Sequence, residues 1–279
     1  MSSSVTTWGC GLRPHHYPSW HALGSRSQEV EVLEVLTDNF LFQKGGPGLG
    51  HVQRITKDKK VLLHGVGMDV CGTDPLSSEY LRGVKDLMER LEPQVVSDHL
   101  CYTRAGGYQS YDLLPIPYTR NNLSHIASRI QKIQESLKIQ FTVENVSSYI
   151  SFRNSEMTEF EFLSELCNST GCAALLDVNN LFVNSFNFKF DPFEQLQLLK
   201  PDQVNQIHVA GHTEMDDFLH DTHNQPVRQE VWKLLQLAVE RFGTKPVILE
   251  RDDEQTPLND ILAELELGRE LLKSAANCL

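Results

Sequence analysis

Six polar residues recur along the chain, each closing a short apolar run. His64 closes K-V-L-L-H, His99 closes Q-V-V-S-D-H, Glu144 closes Q-F-T-V-E, Asp177 closes C-A-A-L-L-D, His208 closes V-N-Q-I-H and Glu250 closes P-V-I-L-E. Imidazoles and carboxylates are the side chains that hold transition metals and move protons near neutral pH. Singly, each has an ordinary reading. A histidine near a buried strand is commonly a hydrogen-bonded core residue, and an acid after a strand commonly caps the next helix. Together they do not. Glu144, Asp177 and Glu250 converging on one small cavity would repel one another and lose hydration, and Arg251 alone cannot balance them. Metal ions supply the missing positive charge. Asp221 and His223, in H-D-T-H-N, add a further pair, giving enough donors for two or three ions. Imidazole with carboxylate suits iron, manganese or zinc, and the absence of clustered thiolates argues against an iron–sulfur cluster.

Other residues are candidates for supporting roles. Asp98 precedes His99, and because strand neighbours face opposite ways it is a candidate for orienting another group or for structure. Asn179, two beyond Asp177, is a candidate weak ligand. His212, four beyond His208, is a candidate for contacting substrate or donating a proton. Arg13, beside His15 and His16, is a candidate anchor for a carboxylate or peptide carbonyl. Tyr102, Tyr108 and Tyr111 flank R-A-G-G, as a pocket lid or as surface packing. Of the six cysteines, Cys10 and Cys101 are expected near the mouth of the site, and Cys167, Cys172 and Cys278 are expected to be inert.

The elements that must position these residues are eight β-rich runs: Cys10–Arg13, Val30–Leu36, Lys60–His64, Gln94–His99, Gln140–Glu144, Ala173–Asp177, Val204–His208 and Val247–Glu250. Their near-continuous apolar character suits parallel strands buried on both faces. Helical stripes fill the intervals, among them Leu81, Val84, Leu87, Met88 and Leu91, then Ile126, Ile130, Ile133 and Leu137, then Val231, Leu234, Leu235 and Ala238. Asp191-Pro192 with Glu194 reads as a capping box, and Thr256-Pro257 as a second helix start. Eight βα units predict an α/β protein, a single (β/α)8 barrel of the triose-phosphate-isomerase (TIM) type over residues 1–279, with its site at the C-terminal ends of the strands. An open doubly wound sheet is the competing architecture, but Gly45, Gly46, Gly48 and Gly50 have neither the dinucleotide nor the P-loop spacing.

Composition limits the partners. Hydrophobic residues are 40% and charged residues 22% of 279, a mixture that folds. Lys and Arg number 25 against 37 Asp and Glu, and a net charge of −12 disfavours nucleic acid. No apolar run approaches the ~18 residues of a membrane span, and the scattered cysteines form no disulfide framework. A cytoplasmic protein without a membrane segment is expected.

In order along the chain stand G-C-G-L-R-P-H-H-Y, L-H-G-V-G, V-S-D-H-L-C, D-L-L-P-I-P-Y-T, V-E-N-V-S-S-Y, S-E-M-T-E-F-E-F, L-L-D-V-N-N, Q-I-H-V-A-G-H, D-T-H and L-E-R-D-D. This series resembles the multinuclear non-heme iron-dependent oxidases, the group that includes the methanobactin-biosynthesis oxidase. The resemblance covers roughly residues 9–265. It implies two or three irons, Fe(II) and Fe(III), with dioxygen as co-substrate. It also implies a cysteine-containing precursor peptide as substrate and a separate peptide-presenting partner protein. The family's ligands fall on His64, His99, Glu144, Asp177, His208, Asp221, His223 and Glu250, with Asn179 as an additional candidate. By analogy one iron takes His64, His99 and Glu144, and a second takes Asp177, His208 and Glu250 with Glu144 as bridge. A third then sits with Asp221 and His223. The chain departs from the pattern at Cys10, at Asp38-Asn39-Phe40 and at Met68-Asp69-Val70-Cys71, none of which removes a ligand. From the residues alone, a zinc- or manganese-dependent hydrolase or isomerase remains an open alternative, as does a barrel that only stores metal or binds peptide.

Overall fold

Eight apolar runs close into one parallel barrel in the computed structural model, which describes residues 6–41 and 45–276. The strands are β1 (Trp8–Gly11), β2 (Val32–Leu36), β3 (Lys60–His64), β4 (Val95–His99), β5 (Phe141–Glu144), β6 (Ala173–Asp177), β7 (Val204–Val209) and β8 (Val247–Leu249). Each pairs with the next, and β1 pairs with both β2 and β8, so no barrel edge is left open. Several boundaries shift by one or two residues: β2 begins at Val32, β4 at Val95 and β5 at Phe141, β7 runs on to Val209, and two shifts bear on the site. β1 stops at Gly11, which leaves Arg13 in the following loop, and β8 stops at Leu249, one residue before Glu250.

Helices follow the strands: α1 (Tyr17–Ala22), α2 (Pro47–Thr56), α3 (Ser78–Leu91), α4 (Arg120–Leu137), α5 (Glu159–Thr170), α6 (Val178–Phe188), α7 (Pro192–Leu196), α8 (Gln229–Phe242) and α9 (Leu258–Ala276). Their apolar stripes bury as the 3.6-residue period requires: Val84, Leu87 and Leu91 of α3, all four stripe residues of α4, and all four of α8. Asp191 does cap α7, through the Phe193 N–H at 2.8 Å, but the reciprocal capping box forms at Thr158 and Glu161, opening α5. The Thr256 hydroxyl is donated to Asp253 instead. Among the described residues no helix is long and apolar enough to cross a membrane.

The barrel has a second, inner cluster. Val32, Leu62, Val95 and Ile248 pack together, separate from the larger layer between strands and helices. Two residues further along the same face of β2 and β3 stand Glu34 and His64, four beyond Val95 stands His99, and two beyond Ile248, just past the end of β8, comes Glu250. The interior is thus apolar at one end and polar at the other. Strand approach is close: a Cβ on Gly9 would lie 1.9 Å from the Val32 carbonyl oxygen.

Candidate metal centre

Six of the strand-end residues meet. His64, His99 and Glu144 form one group of converging donors, and Glu144, Asp177, His208 and Glu250 form another, the donor atoms of each lying within 4.8 Å of one another. Glu144 belongs to both. Its Oε2 lies 3.1 Å from His64 Nε2 and 3.3 Å from His99 Nε2, while its Oε1 lies 3.6 Å from His208 Nδ1. Glu250 Oε2 faces the same His208 nitrogen at 3.2 Å. All six side chains are buried.

The outer nitrogens of the rings decide what the inner ones carry. His64 Nδ1 donates to Ser97 Oγ at 2.8 Å, because that hydroxyl spends its own proton on the Leu63 carbonyl. His99 Nδ1 donates to the Gly65 carbonyl at 3.1 Å. With those hydrogens placed outside, both Nε2 atoms present lone pairs to each other, 3.3 Å apart, and to Glu144. Glu144 Oε2, Asp177 Oδ2, His208 Nδ1 and His223 Nε2 are buried without a hydrogen-bond partner. An unsatisfied buried polar atom costs about 1–3 kcal/mol, so four such atoms in and beside the two groups make this a candidate cation site. The donor set fits transition metals bound by nitrogen and oxygen.

Without metal, protons must do the same work. Burial opposes charge on His99, but Glu144 and Asp98 together outweigh it and raise the imidazole to about 9. Burial likewise opposes charge on Glu144, yet His99, His64 and His208 hold it well below the usual carboxylate range. Glu250 is held low against its burial by His208 and His223. Asp177 goes the other way: burial, reinforced by Glu144, pushes it up to about 8.

Asp221 and His223 stand beside the second group. His223 Nε2 lies 2.8 Å from Asp221 Oδ1, and its Nδ1 faces Glu250 at 3.3 Å and Asp252 at 3.2 Å. Asn179 does not reach into the centre with a free atom: its Nδ2 donates to Asp221 at 2.7 Å and its Oδ1 accepts from His212 Nδ1 at 2.8 Å. His212 is buried against Phe182 and touches the site through that amide. Asp98 turns away from Glu144. It accepts the backbone N–H groups of Met68 and His99 and so shapes the loop after β3, where Asp38 also accepts from Val66 and Tyr80. Arg13 binds Asp252 at 2.5 Å and approaches Glu250 at 3.9 Å, which places a cation at the mouth.

Sequence reasoning missed three contributors: Ser97, Asp252 and Glu34. Glu34 had a visible signal, an acid inside the apolar run V-L-E-V-L, but it lies two residues before the strand end. The expected lid is an antiparallel hairpin, Tyr102–Ala105 with Tyr108–Leu114, turned by Gly106 and Gly107 at φ +57 and +80. Tyr108 is exposed at its tip, Tyr102 packs against the core, and the Tyr111 side chain lies outside the described residues. Cys10 and Cys101 are buried, and burial pushes the Cys10 thiol up to about 12. Cys167 and Cys172 are buried too, and Cys278 lies outside the described residues.

Fold and site together describe a closed TIM-type barrel whose strand ends carry two donor groups sharing one carboxylate. Residues 7–273 match the family described as RiPP precursor modification enzyme MbnB/TglH/ChrH, and the chain belongs to that family. It is 43% identical over 262 residues to a UPF0276 protein of Caulobacter vibrioides, covering 94% of this chain and 92% of that one. A UPF0276 protein of Anaeromyxobacter sp. is 40% identical over 271 residues, covering 97% and 94%. Among solved structures, the barrel is similar to a D-psicose 3-epimerase from Clostridium cellulolyticum, with TM-score 0.63, 9% identity and 95% and 99% coverage. It is also similar to endonuclease IV from Thermus thermophilus, with TM-score 0.61, 12% identity and 96% and 99% coverage. At those identities the likeness is one of fold.

Proposed function

We propose that this protein is an iron- and dioxygen-dependent oxidase that modifies a cysteine residue of a ribosomally made precursor peptide, delivered by a separate partner protein. The observation that carries the reading is the division of Glu144, one oxygen toward each donor group. Membership of a precursor-modifying family supports a peptide substrate. His64, His99 and Glu144 would hold one ion and Glu144, Asp177, His208 and Glu250 a second, with Asp221 and His223 beside a third and Asn179 bracing Asp221. The chemistry iron supplies when bound is one-electron redox change and open positions for a thiolate and dioxygen.

The chain's own residues prepare that site. Ser97 and Gly65 fix the rings of His64 and His99 so that unprotonated nitrogens face inward. His212 holds the Asn179 amide, which in turn holds Asp221, so its contribution is positional. Asp98 steadies the loop that carries the Gly65 carbonyl. Arg13 offsets the carboxylates at the mouth and is the cation placed to meet a peptide carbonyl.

The test is anaerobic reconstitution with iron, followed by oxygen exposure with the partner and peptide and mass spectrometry of the product. An oxygen-dependent mass change confined to the cysteine is expected. Turnover by zinc- or manganese-loaded protein, with none by iron-loaded protein, would transfer the site to hydrolysis or isomerisation.

A further inference from the structure

We infer that Glu34 is a positioning residue for His208, taking its Nε2–H and thereby aiming an unprotonated Nδ1 at the second donor group. This rests on the reading of that group as a metal site. Glu34 Oε2 lies 2.9 Å from His208 Nε2 and 2.5 Å from Gln206 Nε2, with both residues of the Glu34–His208 pair buried. A carboxylate oxygen only accepts, and Gln206 Nε2, which also stands 2.8 Å from His208 Nε2, has the shorter contact to Glu34 and spends its hydrogen there, so the ring hydrogen belongs on Nε2. The opposite tautomer would set a nitrogen lone pair against that oxygen. It would also send Nδ1–H toward Glu144 and Glu250, neither of which lies in hydrogen-bond alignment with it.

The three histidines differ in what braces them. His64 donates to the hydroxyl of Ser97 and His99 to the carbonyl of Gly65, both neutral, with the Asp98 carboxylate standing off His99 Nδ1 at 3.9 Å. His208 leans on a carboxylate. An anionic partner makes an imidazole a stronger donor and fixes its ring, and loss of such partners typically weakens metal binding 10–100-fold. Glu34 therefore strengthens the second group, already the richer in carboxylates, and leaves the first unaffected. The two ion positions are made unequal by a residue that touches neither.

Zinc alone is the probe. In zinc-loaded parent protein labelled with 15N-histidine, His208 is expected to show hydrogen on Nε2 and metal on Nδ1; hydrogen on Nδ1 overturns the inference without any variant. Competition with a chromophoric chelator then reads affinity. Glu34→Gln keeps an acceptor but loses the charge, and is expected to weaken one zinc equivalent about tenfold while the other is unchanged. Glu34→Ala should weaken the same equivalent further. Metal-free melting shows whether each variant is folded, and where one is not, the parent's NMR decides. A folded Glu34→Gln with the parent's affinity at every equivalent refutes the role of Glu34. Failure of the parent to bind zinc, cobalt or iron refutes the metal site itself.

Discussion

Raising the pH from 7 to 9 is expected to destabilise the metal-free protein and to spare the metal-loaded one. His99 is raised to about 9 from an ordinary 6.5, and Asp177 to about 8 from 3.8. Each binds its proton more tightly in the folded chain than in the unfolded one. The stabilisation from each is complete below its ordinary value and is lost as the pH climbs through the folded value. For His99 the window runs from 6.5 to about 9, and for Asp177 from 3.8 to about 8. At about 1.36 kcal/mol per proton per pH unit, the two groups together cost about 3 kcal/mol between pH 7 and 9. His208 and His223, both raised, act in the same direction. Glu144 and Glu250 are held low, so their contributions fade only in acid. A chain of 279 residues has an unfolding entropy of about 0.6 kcal/mol/K, so the melting temperature should fall by about 5 °C. Bound cations replace these protons, and the loaded protein should show no such fall. Circular dichroism melts at pH 7, 8 and 9, after chelation and after metal addition, make the measurement. A metal-free melting temperature that is flat or rises to pH 9 would refute the convergence of these groups.

Glu144→Ala should be the most damaging single ligand change, lowering metal content at both groups; elemental analysis showing parental content with full turnover would remove its bridging role. Gly9→Ala drives a methyl into the Val32 carbonyl oxygen and should cost about 3 kcal/mol in a denaturant titration. Thr158→Ala removes half of a reciprocal capping box and should cost about 1 kcal/mol, a melting shift of about 2 °C, with metal content unchanged.

Much of the barrel was readable because parallel strands buried on both faces leave near-continuous apolar runs, and the helices between them leave 3.6-residue stripes. Seven of the eight strands were legible in that way; β1 was displaced because W-G-C-G offers two glycines and little β-branching. The hairpin from Tyr102 to Leu114 went unread although A-G-G-Y carries a turn signal, since its flanks mix polar and apolar residues without clean alternation. The site divides along the same line. Donors at strand ends were visible because a polar residue terminating an apolar run stands out, whereas Glu34, inside its run, did not.

The donor chemistry, the order in which strands deliver it, and the closure that brings the strand ends to one face all follow from the order of residues. Which atom of each donor points inward does not, and was settled by the folded chain. His64 is aimed by Ser97, 33 residues away, and His99 by Gly65, 34 away. His208 is aimed by Glu34, 174 residues away. A ring tautomer is set by whatever acceptor lies behind it, and only barrel closure puts those acceptors there.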